Sequence, residues 1–146
     1  MVGRGSLSLP PDFRLVPSPS GGLAIERGRF HLPLGEMGPE LRAALERLAS
    51  GGAPEEELTR QVQGLELLRL HQLLADLAER LLLCRTFQRG GEPAITVVPF
   101  SRYGPEPRGS APDRLVLSRF AYLRREGGSL VAESPLAHSY LIVHEA

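Results

Sequence analysis

An α+β fold is the expectation for this chain of 146 residues, and three observations lead to it. Short runs of β-formers broken by Gly, Pro and Ser open the chain. Three leucine-bearing segments with apolar residues three and four apart follow. β-type runs then return around a Gly-Gly turn and continue to the C-terminus. Apolar residues make up 42% of the chain, enough for a core, but aromatics supply only 5% with no Trp. Leu, Val and Ala must therefore fill the interior.

Residues 1–12 carry Gly, Ser and two prolines and are expected to form a flexible tail. From Phe13 the runs FRLV and LAIE flank a Pro-Ser-Gly-Gly stretch, the composition of a hairpin. A second turn at Arg27-Gly28 leads into RFHLPL. There Phe30, Leu32 and Leu34 alternate with Arg29, His31 and Pro33, so one face is predicted buried and the other wet. Pro33 cannot donate to a ladder, which suits this strand to a sheet edge.

Pro39 fits a first helical position, and Leu41, Ala44, Leu45 and Leu48 form a stripe that stops at Gly51-Gly52. Pro54 opens a second helix whose first turn holds Glu55, Glu56 and Glu57, favourable beside a helix N-terminus. Leu58 and Val62 point inward and Gly64 closes it. A third helix is predicted over Leu65–Leu83, with Leu67, Leu70, Leu74, Leu77 and Leu81 on its core side. Leu68 and Leu73 widen that apolar arc beyond one packed face. LCRTFQ and AITVVPF then flank Arg89-Gly90-Gly91 as a second hairpin.

Helical trio plus hairpin wing is the order of a winged helix–turn–helix, assigned to residues 13–100. Residues 101–114 read as a Pro/Gly/Ser/Arg linker. Residues 115–146 hold three more strand-like runs and read as the start of a second unit of the same kind. These strands either join one mixed sheet with the first three or pair with another chain in a homodimer. Leu115, Leu117, Phe120, Tyr122, Leu130, Leu141 and Val143 would otherwise stay uncovered. With no further helix to cover them, the chain reads as one part of a longer or split system.

Composition excludes several classes. Seventeen basic groups, all Arg, balance seventeen acidic ones, which argues against a general nucleic-acid binder. The third helix would be the recognition helix of a winged-helix regulator. Its Glu66, Asp76 and Glu79 outnumber Arg69 and Arg80, and Gln72 is its one amide for base reading. A single cysteine, Cys84, excludes a disulfide framework and a cysteine zinc site, and it follows a helix C-terminus, the wrong end to activate a thiol. His31, His71, His138 and His144 lack carboxylate or thiolate neighbours at ligand spacing, so no metal is expected. There is no nucleophile elbow and no phosphate-binding glycine loop. No apolar run approaches the roughly 20 residues of a membrane span, and no secretory signal opens the chain. A cytoplasmic protein without membrane contact is the expectation.

What remains is an edge strand beside a helix with surplus leucines. An open ladder edge offers unpaired N–H and C=O groups to a guest strand, and an adjoining apolar groove can take the guest's alternate side chains. The same leucines would serve equally well packed against strands of the chain itself.

The stretch Leu117–Pro135, LSRFAYLRREGGSLVAESP, resembles a segment of the SagB-type azoline dehydrogenases, flavin enzymes of ribosomal peptide natural-product pathways. Phe13–Ser101 resembles the unit that precedes it there, through RLVPSPSGGL, RAALERLASGGAPEEEL, LLADLAER and ITVVPFS. The resemblance implies a small winged-helix, PqqD-like precursor-recognition element. Such elements hold a precursor's leader peptide as an added strand against their third helix. Carried onto this chain, the peptide contacts would be Arg29, Phe30, His31, Leu32 and Leu34 on the strand. On the helix they would be Leu68, Arg69, Gln72, Ala75, Asp76 and Glu79.

Members of that family continue into a nitroreductase-like flavin fold that this sequence does not contain. No catalytic residue and no bound flavin are therefore expected in this chain, with FMN belonging to a partner or missing domain. The expected partners are the leader peptide and a flavin dehydrogenase domain or cyclodehydratase, in thiazole/oxazole peptide biosynthesis. A non-catalytic subunit that docks the flavin domain is the alternative reading, and a DNA-binding regulator a third.

Overall fold

A computed structural model describes residues 5–100, 119–135 and 137–144. The linker assigned to residues 101–114, the run beginning at 115 and the apolar residues Leu115 and Leu117 lie outside the described residues. Among the described residues, ten strands and three helices form two antiparallel sheets and a helical layer.

The smaller sheet comes first. β2 (Arg14–Pro17), β3 (Leu23–Arg27) and β4 (Phe30–Gly35) lie in the order β2-β3-β4. β3 is central, and Leu23, Ala24 and Ile25 are all buried. The β2–β3 connection closes with Gly21 N–H donating to Ser18 O, and Gly22 takes φ of 74°. A Cβ on Gly22 would fall 1.9 Å from Gly35 O, so only glycine lets the end of β4 approach this turn.

The helices follow in sequence order: α1 (Pro39–Ala49), α2 (Glu55–Thr59) and α3 (Gly64–Glu79). Leu41, Ala44, Leu45 and Leu48 of α1 are buried, as are Leu58 of α2 and Leu70, Leu74 and Leu77 of α3. They meet Ile25 of the small sheet and Phe13, just before β2, in one apolar cluster. Fully burying each leucine contributes about 1.5–3 kcal/mol, so this cluster is the main force holding sheet to helices.

The larger sheet has the order β5-β1-β6-β7-β10-β9-β8. β1 (Ser6–Ser8) falls in the stretch expected to be a flexible tail. It pairs with β5 (Ala53–Pro54) and with β6 (Cys84–Arg89), Leu7 and Leu9 are buried, and Leu9 N–H donates to Leu48 O. Three residues are too few to show a period, but two buried leucines are enough to hold the segment down.

β6 and β7 (Glu92–Pro99) make the hairpin around Gly90-Gly91. β10 (Ser139–Val143) then pairs with β7, β9 (Ser129–Glu133) with β10, and β8 (Tyr122–Glu126) with β9. The C-terminal strands thus extend the hairpin's sheet and do not pair with β2–β4. One face carries Leu123, Ala132, Leu141 and Val97 in a cross-strand row, all exposed or half-buried. The opposite face carries the row Ser6, Thr86, Thr96. Thr96 is buried but satisfied, its Oγ1 lying 2.8 Å from both Thr86 Oγ1 and His144 Nε2.

α3 stops at Glu79, short of the predicted Leu83. Leu81 N–H donates to Ala78 O, Leu82 N–H donates to Leu77 O, and Leu81 takes φ of 63°. This is a Schellman closure with leucine in the left-handed position that favours glycine. It turns Leu82 into the core, where it is buried. α2 likewise ends at Thr59, and Gly64 begins α3 with φ of 61° in place of closing α2.

Two predictions follow from this packing. Leu81→Gly relieves a left-handed strain of about 1–2 kcal/mol, partly offset by the extra entropy of glycine when unfolded. It should raise the unfolding free energy by up to about 1 kcal/mol, read as a higher urea midpoint with an unchanged slope. Burial pushes the Cys84 thiol from 9.0 up to about 12. Cys84 should therefore resist iodoacetamide at pH 8 until the protein unfolds. Because its folded value lies above its unfolded one, its linkage lowers stability only as pH rises through about 9 to 12.

Candidate functional site

β4 is bonded to β3 on one side and forms the edge of its sheet on the other. The two-residue turn Gly28-Arg29 joins them, with Gly28 at φ of 58° and Arg27 opposite Phe30. Residues flanking such a turn exchange both backbone bonds, and pairs alternate from there. The amides of Phe30 and Leu32 therefore face β3, while those of His31 and Pro33 face outward. Pro33 sits where its missing N–H costs the β3–β4 ladder nothing. The open edge accordingly presents His31 N–H and C=O together with Pro33 C=O.

Side chains follow the same alternation. Leu32 and Leu34 pack half-buried against the core cluster. Phe30, 38% exposed, stands edge-on to Phe13 with ring centroids 5.5 Å apart, and the Arg27 guanidinium lies 4.5 Å from the Phe13 centroid. His31 projects from the other face, its Nδ1 2.8 Å from Glu26 Oε1 directly across the ladder. Arg29 belongs to the turn and not to the strand.

α3 runs beside this edge in the opposite direction. Glu66 Oε2 accepts from Gly38 N–H at 3.3 Å, Arg69 Nη2 donates to Glu36 O at 2.8 Å, and Leu34 shares a cleft with Leu73 and Asp76. Reading β4 backward therefore reads α3 forward. A helix rises about 1.5 Å per residue and a strand about 3.3 Å, which brings Leu32 and Phe30 level with the second half of α3. The cleft encloses about 170 Å³ between Leu34, Met37, Leu41 and Leu73, with Arg69, Gln72 and Asp76 also lining it.

Of the residues expected from the sequence, Leu34, Arg69, Gln72 and Asp76 line this cleft. Arg29, Phe30, His31 and Leu32 stand along or at the end of the strand outside it. Leu68, Ala75 and Glu79 are exposed on α3. Leu68 is 60% exposed and its neighbour Leu65 79%, so the N-terminal half of the helix shows leucine to solvent. Met37, Leu41 and Leu73 are the lining residues that the strand and helix patterns do not single out as contacts.

Arg69, expected as a peptide contact, lines the cleft and also has partners within the protein. Its Nη1 donates to Glu66 Oε1 at 2.8 Å while its Nη2 holds Glu36 O, so the guanidinium is engaged within the protein. With Glu66 also holding Gly38, the pair brackets the β4–α1 connection onto α3 and sets the width of the cleft. Sequence alone could not show this, because two of the three bonds go to main chain.

Other clefts exist. One of about 490 Å³ lies between β2, the opposite edge of the same sheet, and α1, where Arg42 and Glu46 pair at 3.0 Å. Another of about 330 Å³ lies over the Ser6–Thr86–Thr96 face. β2 has four residues against six in β4. The outer strand β8 carries Arg124, Arg125 and Glu126, charges of the kind that discourage added strands. Among the described residues no three His, Cys, Asp or Glu side chains gather as a metal site, and no helix is long and apolar enough to cross a membrane.

Residues 115–146 match the family of the cyanobactin oxidase ThcOx, a span that includes β8, β9 and β10. No curated protein matches the chain.

Arg69→Ala should release the bracket at a small cost, under about 1 kcal/mol because both partners are partly exposed. Hydrogen exchange is the measurement: faster exchange at Gly38, which loses its ordered Glu66 acceptor, with Leu74 and Leu77 unchanged.

Proposed function

We propose that this chain is a binding module that holds the leader of a ribosomally made precursor peptide as a strand added to β4, against α3. In this reading α1–α3 with the hairpin β6–β7 form a winged helix–turn–helix of the precursor-recognition type. The observation that carries the proposal is the juxtaposition itself: a ladder edge with outward main-chain groups, directly beside a cleft where Leu34, Met37, Leu41 and Leu73 stand among Arg69, Gln72 and Asp76. The ThcOx match supports the setting, since it ties the C-terminal strands to an oxidase of cyanobactin maturation. The module would serve a SagB-type, FMN-dependent azoline dehydrogenase or its cyclodehydratase, with the flavin held outside the described residues.

The chemistry asked of this chain is positioning. Main-chain hydrogen bonds along β4 supply affinity without reading sequence, and each contributes about 0.5–1.5 kcal/mol net. The cleft reads one side chain of the guest. Ordering a flexible leader costs entropy, so the rigid scaffold behind β4 matters: Phe30 against Phe13, and Leu32 and Leu34 on the core.

The row Leu123, Ala132, Leu141 and Val97 favours a second role on the other sheet. These half-buried or exposed apolar residues lie largely on the strands that the oxidase family matches. A docking role toward the flavin domain would use that face and would leave β4 free for peptide.

Titration of the isotope-labelled full chain with the cognate leader tests the clamp. Shifts should concentrate at His31–Leu34 and along Leu65–Glu79, with the His31 amide gaining exchange protection. Shifts confined to Arg14–Pro17 and α1 would move the site to the opposite edge and end the assignment to β4.

A further inference from the structure

The clamp reading leaves open what kind of guest the groove prefers, and the charges on α3 bear on that. We infer that the groove selects an extended peptide carrying an apolar side chain for the cleft and a basic side chain two residues away, held by Asp76 and Glu79. The inference rests on the clamp reading of β4 and α3.

Four observations carry it. Among the described residues Arg69 is the one cation lining the cleft, and it is already held by Glu66 and Glu36 O, so it has little positive charge to offer a guest. Asp76 and Glu79 are exposed and form no ion pair among the described residues. They lie in the C-terminal half of α3, whose last turn holds no basic residue, so the negative end of the helix dipole adds to their field. Arg80, the nearest cation in sequence, is an exposed C-cap residue whose backbone N–H bonds Asp76 O, and its side chain forms no ion pair among the described residues.

Spacing then sets the pattern. Side chains on one face of a strand recur about every 6.8 Å, and Asp76 to Glu79 spans about 4.5 Å along the helix axis. A guest side chain in the cleft beside Leu34 and Leu73 places its next neighbour on that face alongside Asp76 and Glu79. Acids at a helix C-terminus are unfavourable in the free protein, and a basic guest turns that cost into attraction.

The test uses the full chain and four capped synthetic probes. Two hold Leu-Thr-Arg or Arg-Thr-Leu at the centre of a Ser/Thr heptapeptide, covering both strand directions, and two replace Arg by Glu. In one or both directions the Arg peptide should bind about tenfold more tightly than its Glu counterpart at low ionic strength, with the gap closing as salt rises. The double variant Asp76→Asn with Glu79→Gln should erase the gap while keeping the His31–Leu34 amide shifts. Equal binding of Arg and Glu peptides, or a gap that survives the double variant, overturns the charge selection and leaves the clamp standing. If no probe shifts the His31–Leu34 amides, the selection and the clamp reading fall together.

Discussion

Everything in the candidate site depends on β4 being fixed from one side only. Its inner amides are taken by β3 and its inner side chains by the core, so the strand is rigid without being enclosed. A strand held by neither would be a loop, and one held by both would have nothing left to offer. α3 meets the same constraint in helical form. Leu70, Leu74 and Leu77 are buried, while Leu65, Leu68 and Gln72 face outward on the same rod. Two half-anchored elements, bracketed together by Arg69 and Glu66, make a groove of defined width.

The two sheets divide the labour. The small sheet and helices share one core, and the groove belongs to them. The large sheet grows outward from β1 and the hairpin, adding β10, β9 and β8 until its outer face is no longer covered by helices. The described strands of the segment matched to the oxidase family, β8, β9 and β10, lie at this far end and not at the groove. Peptide holding and enzyme docking would thus occupy separate surfaces of one scaffold.

How much of this was legible depends on how each element announces itself. The α1 stripe repeats over three turns, and all four of its members are buried. Pro33 marked β4 as an edge because proline removes a donor, a fact independent of context. The Ser6–Ser8 strand had too few residues to show a period, and its place is set by Leu7 and Leu9. Leu81 gave no warning of a helix end, since leucine normally extends a helix; burial of Leu82 overrode that preference. The bond from Arg69 to Glu36 O joins residues 33 apart in the chain, so only the fold brings them together.

Pro33 has one more effect. An exposed β-edge invites a second copy of itself, and a stack of such copies grows into an aggregate. Two β4 edges brought together would each face the other with a ring carbon where a donor should be. Register-matched self-pairing would break its own ladder at that point, whereas a foreign segment need only place a non-donating position opposite the gap. The imino acid thus makes the edge a poor match for its twin while leaving it open to strangers.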